Sequence, residues 1–343
     1  MLAMIRKEFR QVGRDRRTLA MLIVMPIVML VIFGYAASFN VEEIPTVVFG
    51  DQGDVIAERL PEIFVVEYVE PGDDAAAEEA LVAGDGQVAI VASAGAVTAY
   101  VDGSSLFTAQ AAVQVLTRVQ SSVPALEYEV LFNPELDTSA VLVPGLAGLI
   151  IAFIGTIITS LSVVREREAG TFEQLAILPF RPADVFIGKI APYFIVALAD
   201  TAIVLTVGTI LFDVPFVGSL WPLGVAALLF IFVALGIGIL ISSASASQGE
   251  SIQLALMTLL PQIMLSGIIF PLSSMAAGIR WIGYVLPLTY FNIVANGVML
   301  RGAGFADLWR PMVFLAVMAV VVFGLAVIRF TSQLSPARSK VDA

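Results

Sequence analysis

Apolar residues are grouped along this chain in runs of roughly 20, the length that crosses the hydrocarbon core of a bilayer as a helix. Six such runs occur, and polar segments separate them. They extend over about 19–39, 142–164, 190–212, 220–241, 252–270 and 312–330. The pattern predicts an α-helical polytopic membrane protein with six transmembrane helices.

Residues 40–138 follow a different pattern. Short β-rich stretches at 44–49, 64–69, 87–92 and 97–101 alternate with helical patterns at 55–63, 75–83 and 106–123. Strands that alternate with helices indicate an α/β unit. We therefore expect a small α/β extracytoplasmic domain, inserted between the first and second spans.

The remaining segments complete the expected domain organisation. Residues 1–17 combine basic residues with apolar ones at helical spacing, which is typical of an amphipathic helix on a membrane surface. Residues 18–39 form the first span, too long for the apolar region of a signal peptide, which has roughly 7–15 residues. Residues 139–330 hold the other five spans, with an aromatic-rich re-entrant or interfacial region at 271–310, and residues 331–343 form a tail.

Basic residues predict the orientation of the chain. With the N-terminus in the cytoplasm, 13 of the 18 Lys and Arg residues fall inside and five outside. Cytoplasmic loops carry the excess of Lys and Arg, so both termini are expected in the cytoplasm. The net charge of −11 comes from residues 40–138, which hold 18 acidic residues against two basic ones.

Composition supports the membrane class and excludes several chemistries. The chain is 59% hydrophobic and 14% charged, and its mean hydropathy is +0.94. Cysteine and histidine are absent, which excludes disulfides, thiol nucleophiles and Ser-His-Asp catalysis on this chain. No G-x-x-x-x-G-K-[ST] loop occurs, and no basic surface lies away from the membrane to bind nucleic acid.

A polar segment at 165–189 lies between the second and third spans. Thr171 and Gln174 have the spacing of a helix capping box, and Pro179 ends the helical pattern. Apolar residues follow the cap at helical spacing, at Phe172, Leu175 and Leu178. The pattern predicts a short amphipathic helix that another protein binds; the alternative is an ordinary solvated loop with cytoplasmic positive charge.

Three of the polar residues inside the predicted spans are candidates for a functional role. Asp200 lies in the middle of the third span, where a carboxyl group is costly and frequently functional. Gln262 and Ser266 accompany Pro261 in the fifth span and are candidates for lining a pathway. The alternatives are a structural hydrogen bond for Asp200 and a packing kink for Pro261.

The segment 165–189 also carries a family resemblance. The run R-E-R-E-A-G-T-F-E-Q-L over residues 165–175, followed by Gly188-Lys189 and Pro192-Tyr193, resembles the signature of type-2 permeases of ATP-binding-cassette (ABC) exporters. Weaker motifs fit in the same order, at 133–136, 212–215, 266–271 and 286–291. The domain at 40–138, with Val101-Asp102-Gly103, resembles that of the subfamily with a large domain between spans one and two.

This resemblance implies a permease that dimerises with a second copy or a similar permease, in a prokaryotic plasma membrane. Each half would engage a separate cytoplasmic ATPase, which binds the ATP and Mg²⁺, so this chain would carry no cofactor and perform no catalysis. The residues expected to couple to the ATPase are Arg165, Arg167, Glu168, Thr171, Phe172, Glu173, Leu175 and Leu178. Drug-like amphiphiles, lipids and peptides all remain open as substrates.

Two other functional classes also fit parts of the sequence. A secondary transporter or channel would use Asp200 as its proton or ion site. A membrane receptor that transports nothing would bind its ligand or partner through the acidic domain.

Overall fold

The computed structural model of the chain describes residues 41–93, 96–121, 125–170 and 182–339, together with Ile27. Most of these residues are helical, and one five-stranded sheet is formed by residues 44–131. The predicted amphipathic helix at 1–17, most of the first span and residues 171–181 lie outside the described residues.

The sheet combines parallel and antiparallel pairs in the order β2-β1-β3-β4-β5. Parallel pairs join β1 to β2, β1 to β3, and β4 to β5, while β3 and β4 are antiparallel. The strands are β1 (Ile44–Phe49), β2 (Phe64–Glu70), β3 (Val88–Ser93), β4 (Ala96–Asp102) and β5 (Leu126–Leu131). Three helices form the crossovers, α1 (Gly53–Ala57), α2 (Asp74–Ala83) and α3 (Leu106–Gln120).

Both faces of the sheet are covered by apolar side chains, because alternate strand residues point to opposite faces. On one face, Ile44 and Ile90 pack with Leu116 of α3. On the other face, Phe49 packs with Leu81 of α2. Each face thus has its own buried cluster, and the segment is a small three-layered α/β unit.

The predicted strand positions agree with the structure to within one residue, and the helix predicted at 106–123 ends at Gln120. Two further elements differ more from the prediction. The helix predicted at 55–63 is only the short α1, which ends at Ala57; Pro61 follows closely, and proline disfavours a helical conformation in the residue before it. Strand β5 was not predicted. Its Glu127 and Glu129 are exposed at the sheet edge, where a strand needs no apolar outer face.

A compact junction connects β5 to the first long helix, α4 (Thr138–Glu168). The Asn133 side chain donates to the carbonyl oxygens of Gly103 (3.3 Å) and Asp137 (3.0 Å) and accepts from the Asp137 amide (3.0 Å). Asp137 caps α4 by accepting bonds from the Ser139 hydroxyl and amide, which lower the pKa of the Asp137 carboxyl below its ordinary value. The junction is therefore ordered by side chains on both sides of it.

Among the described residues, seven α-helices follow the sheet: α4, α5 (Pro182–Leu211), α6 (Leu220–Ala244), α7 (Gln248–Leu265), α8 (Ala277–Val285), α9 (Pro287–Met299) and α10 (Trp309–Ser339). In the described part of the chain, α4, α5, α6 and α10 are long and apolar enough to cross a membrane. Helices α8 and α9 pass the same test as a pair bent by 74°, which raises the number of candidate spans to five. The chain is therefore a multi-pass membrane protein.

The predicted fifth span, 252–270, differs from the structure. Helix α7 begins earlier, at Gln248, and ends at Leu265. Gly267 has a φ of +85°, a left-handed conformation that ends a helix and that glycine adopts without strain. By length and composition, α7 is not among the four candidate helices, whereas α8 and α9, predicted as interfacial or re-entrant, form the additional candidate pair.

Helix α4 lies at the centre of the bundle, where it packs against α5, α6, α7 and α9. Small residues allow α4 and α6 to approach closely: a Cβ on Gly238 would lie 2.7 Å from the Thr156 carbonyl oxygen. The Thr156 hydroxyl also donates to the Ala234 carbonyl oxygen across this contact (3.3 Å). Small residues with a hydroxyl bond are a common basis of helix packing in membranes.

The long helices run between two ends of the bundle. The sheet adjoins the end where α4 begins, and we call this the sheet end. The opposite end contains the last turn of α4 and the turn between α6 and α7, and we call it the far end.

Candidate functional site

The last turn of α4 holds the turn between α6 and α7 at the far end of the bundle. The guanidinium of Arg167 donates from one nitrogen to the carbonyl oxygens of Ser242 (3.2 Å) and Ser245 (3.1 Å). Ser245 is the C-cap of α6, so this cation lies beside the negative end of the α6 dipole. Arg167 thus satisfies carbonyl groups that the end of a helix leaves without intrahelical partners.

Glu168 makes the complementary contact with the next helix. Its Oε1 accepts from the backbone amide of Gln248 (3.0 Å), and its Oε2 accepts from the Gln248 side-chain amide. Gln248 is the first residue of α7, where the helix dipole is positive and favours an anion. Two adjacent residues of opposite charge therefore bind the end of α6 and the start of α7, and we call this pair the Arg167–Glu168 clamp.

The α6–α7 turn has its own hydrogen bonds. The Ser247 hydroxyl accepts from the Glu250 amide (3.2 Å), while the Glu250 carboxylate accepts from the Ala246 amide (2.6 Å). Ser247 and Glu250 have the S-x-x-E spacing of a capping box, and Glu250 is buried. The clamp therefore binds a turn that is already fixed.

Helix α4 ends just beyond the clamp. Gly170 has a φ of +71° and terminates the helix in the left-handed conformation. Arg165 is exposed on the last turn, unlike the half-buried Arg167. The other expected coupling residues lie outside the described residues: Thr171, Phe172, Glu173, Leu175 and Leu178.

The three candidate polar residues of the predicted spans lie on two different helices. Asp200 is on α5, is half-buried, and its Oδ2 has no hydrogen-bond partner within the described part of the chain. Gln262 and Ser266 lie four residues apart at the end of α7, and both are almost fully buried. Gln262 Oε1 and the Ser266 hydroxyl likewise have no partner among the described residues.

The sequence did not predict the Arg167–Glu168 clamp, although both of its residues were among the candidate site residues. The family resemblance assigns Arg167 and Glu168 to ATPase coupling, which stays a prediction, and the structure shows in addition that both contact the α6–α7 turn. A local signal existed for the turn, because Ser247-Gln-Gly-Glu250 has the spacing of a capping box. The contact itself joins residues 80 positions apart, and no local pattern encodes it.

Comparisons with known proteins place the chain among transport proteins. A family model described as "ABC-2 family transporter protein" matches residues 16–328. Two Escherichia coli proteins named "Probable multidrug ABC transporter permease" are 29% identical over 181 residues (YbhR) and 32% identical over 195 residues (YbhS). The "Inner membrane transport permease YhhJ" of the same organism is 32% identical over 216 residues.

These matches cover 53%, 57% and 60% of this chain and 49%, 52% and 55% of YbhR, YbhS and YhhJ respectively. The chain thus spans about half the length of each relative. No solved structure matches.

Proposed function

The chain belongs to the ABC-2 family of transporter proteins, and we propose that it is the transmembrane permease subunit of an exporter driven by a separate ATPase. The observation that carries this proposal is the family match, which extends over residues 16–328. The names of YbhR, YbhS and YhhJ as permeases agree with it. In this reading the chain itself performs no catalysis, and ATP and Mg²⁺ bind to the ATPase.

The segment after α4 is the proposed contact with the ATPase. A helix from Thr171 to Leu178 would insert Phe172, Leu175 and Leu178 into a cleft of the ATPase as apolar anchors. Glu173 would lie in its first turn, at the positive end of the helix dipole. The geometry of the far end supports this proposal, because α4 and α5 flank the segment and the clamp fixes the end of α4.

The charged residues before this helix are proposed to have two different roles, depending on whether they belong to the clamp. Arg165 is exposed and is proposed to contact the ATPase at the rim of its cleft. Arg167 and Glu168 are proposed to transmit movement instead, because they join α4 to α6 and α7. A displacement of the coupling helix would then be delivered to three helices together.

The orientation proposed for the chain places the far end and both termini in the cytoplasm of a prokaryote, with the sheet outside. Six spans would result if residues 18–39 and α7 both cross the membrane, with the α/β domain at 40–138 between spans one and two. Cysteines introduced singly at Asp74 and Arg165 test this topology, since the chain has no cysteine of its own. A membrane-impermeant thiol reagent should label position 74 in intact cells and position 165 only after permeabilisation.

The proposed assembly contains two permease chains, either identical or similar, and two ATPase subunits in a lipid bilayer. The proposed substrate class includes drug-like amphiphiles, lipids and peptides. Purification of the chain in detergent with a co-expressed candidate ATPase, followed by mass measurement of the intact complex, tests the assembly. A chain that elutes without the ATPase under conditions in which both are folded would contradict the exporter proposal.

One observation favours a second candidate function. Asp200 places a buried carboxyl oxygen on α5 with no hydrogen-bond partner among the described residues. A carboxyl group in such a setting is a candidate proton site of a secondary transporter. An Asp200→Asn variant separates the two functions, because only proton-coupled transport requires this group to ionise.

A further inference from the structure

A buried ion pair connects the sheet to the helical bundle. Arg301, which follows α9, approaches the Asp102 carboxylate at the end of β4, with 3.4 Å between Nη1 and Oδ2. The side chain of Asp102 is 1% exposed and that of Arg301 is 11% exposed. Such a pair is shielded from solvent, so removal of one partner leaves a buried charge uncompensated.

The surroundings of Arg301 are shaped to receive its guanidinium. Gly84, at the end of α2, and Gly297, in α9, both lie next to it: a Cβ on either glycine would be 3.2 Å or less from a guanidinium nitrogen. Gly84 is the left-handed C-cap of α2, so the cation also lies near the negative end of that helix dipole. Val82 of α2 packs against the apolar core of the bundle beside this site.

Asp102 also belongs to the loop that holds the junction to α4. Its Oδ1 accepts from the Ser104 amide (2.8 Å), which fixes the loop after β4. The carbonyl oxygen of the next residue, Gly103, accepts from the Asn133 side chain, and Asn133 binds Asp137 at the start of α4. The Asp102–Gly103 loop is thus linked to the start of α4 through Asn133 and contacts Arg301 directly.

We infer that Asp102 and Arg301 are positioning residues that lock the sheet onto the sheet ends of α4 and α9. The sheet then moves with these helices as one body and does not swing on a tether. At 1.5 Å per residue the 31-residue α4 is about 46 Å long and carries the clamp at its other end. If the proposed function holds, on which this second step rests, movement at the ATPase is delivered to the sheet through α4.

A second ion pair between the same two parts of the chain provides a matched control. Arg280 Nη1 lies 3.5 Å from Glu43 Oε2, where Glu43 directly precedes β1. Its side chains are 28% and 56% exposed, so solvent screens the pair and it contributes little. Loss of this pair should leave the sheet locked.

The test measures the distance between spin labels on Glu79 of α2 and Leu146 of α4, both exposed, in the purified chain. We expect one narrow distance distribution for the parent chain and for Arg280→Gln, and a broad one for Arg301→Gln. The distribution for Arg301→Lys should remain narrow, since Asp102 meets the guanidinium through Nη1, a contact that an ammonium group can replace. If Arg301→Gln does not fold, Asp102→Asn with Arg301→Gln removes both charges and should also broaden the distribution.

A broad distribution in the parent chain, or a narrow one in the variants that lack the pair, would overturn the lock. This part of the test needs no ATPase, so its result is independent of the proposed function. In the complex with the ATPase trapped by vanadate, the distance between the labels should stay the same, because the sheet and α4 move together. A change of that distance in the parent chain would overturn the second step and leave the exporter proposal intact.

Discussion

Glu168 and Gln248 join the end of α4 to the beginning of α7 through two hydrogen bonds, one to the backbone amide and one to the side-chain amide. The adjacent Arg167 binds the last carbonyl groups of α6. The far ends of three helices are therefore connected immediately before the segment proposed to bind the ATPase. A force applied to that segment would act on the helices together.

Arg167→Gln should lower the thermal stability of the purified chain without any ATPase present. Hydrogen bonds from a charged donor contribute about 1.5–3 kcal/mol when buried. Because Arg167 is only half-buried, we expect its removal to lower the free energy of unfolding by an amount near the lower end of this range. Arg165→Gln is the matched control, because Arg165 is exposed on the same turn. Scanning fluorimetry in detergent should show a lower Tm for the first variant alone.

In a measurement of ATPase affinity, Arg165→Gln should have the larger effect of these two variants. Arg165→Gln should weaken binding while leaving the Tm of the chain unchanged, since its charge is proposed to contact the partner. Equal Tm values for both variants and the parent chain would mean that the clamp contributes nothing to the stability of the bundle.

Truncation of Phe172 and Leu175 to Ala together should weaken association with the ATPase by one or more orders of magnitude. Each buried apolar side chain contributes roughly 1.5–3 kcal/mol, and about 1.4 kcal/mol corresponds to a factor of ten in affinity. Titration of the detergent-purified chain with the ATPase measures this loss. Full binding by the double variant would remove the coupling helix from the proposed interface.

Asp200→Asn should leave ATP hydrolysis and transport close to their parent levels, because the exporter proposal assigns no proton transfer to this residue. Asparagine keeps the size of the side chain and removes only the group that ionises. Transport into proteoliposomes, measured with and without a proton gradient, provides the comparison. A complete loss of transport with normal ATPase binding would favour the proton-coupled alternative.

Gly148→Ala should destabilise the bundle by about 1–3 kcal/mol through overpacking. A Cβ at Gly148 would lie 2.3 Å from a ring carbon of Phe291, which is fully buried and stacked on Phe230. Gly224→Ala in α6 is the control, because no atom lies within 4 Å of the added methyl group. Thermal denaturation in detergent should show a lower Tm for Gly148→Ala and an unchanged or higher one for Gly224→Ala.

Residues 41–136, expressed alone, should form a soluble acidic protein with a cooperative thermal transition. About 100 residues suffice for a small domain, and the sheet has a buried cluster on each face. Asp102→Asn should cost little stability here, since the partner Arg301 is absent. Circular dichroism during heating tests both statements, and a featureless melt would mean that the sheet depends on the bundle.

Much of the fold follows from local patterns. The apolar runs determined α4, α5, α6 and α10, because a backbone in hydrocarbon must satisfy its own hydrogen bonds within a helix. The β-rich stretches determined four strands to within a residue, although strand β5 and the short α1 required the assembled sheet. The end of α7 at Leu265 depended on the left-handed conformation at Gly267, which glycine permits but does not impose.

The sequence by itself determined the membrane class and the α/β pattern of residues 44–102. These features depend on composition and on periodicity over a few turns. Only the tertiary structure decided that Arg167 and Glu168 bind the α6–α7 turn and that Asp102 meets Arg301, 199 residues later. Each of these charges had many candidate partners. The packing of the bundle selects the partner, because it determines which ends of the helices lie within hydrogen-bonding distance of each charge.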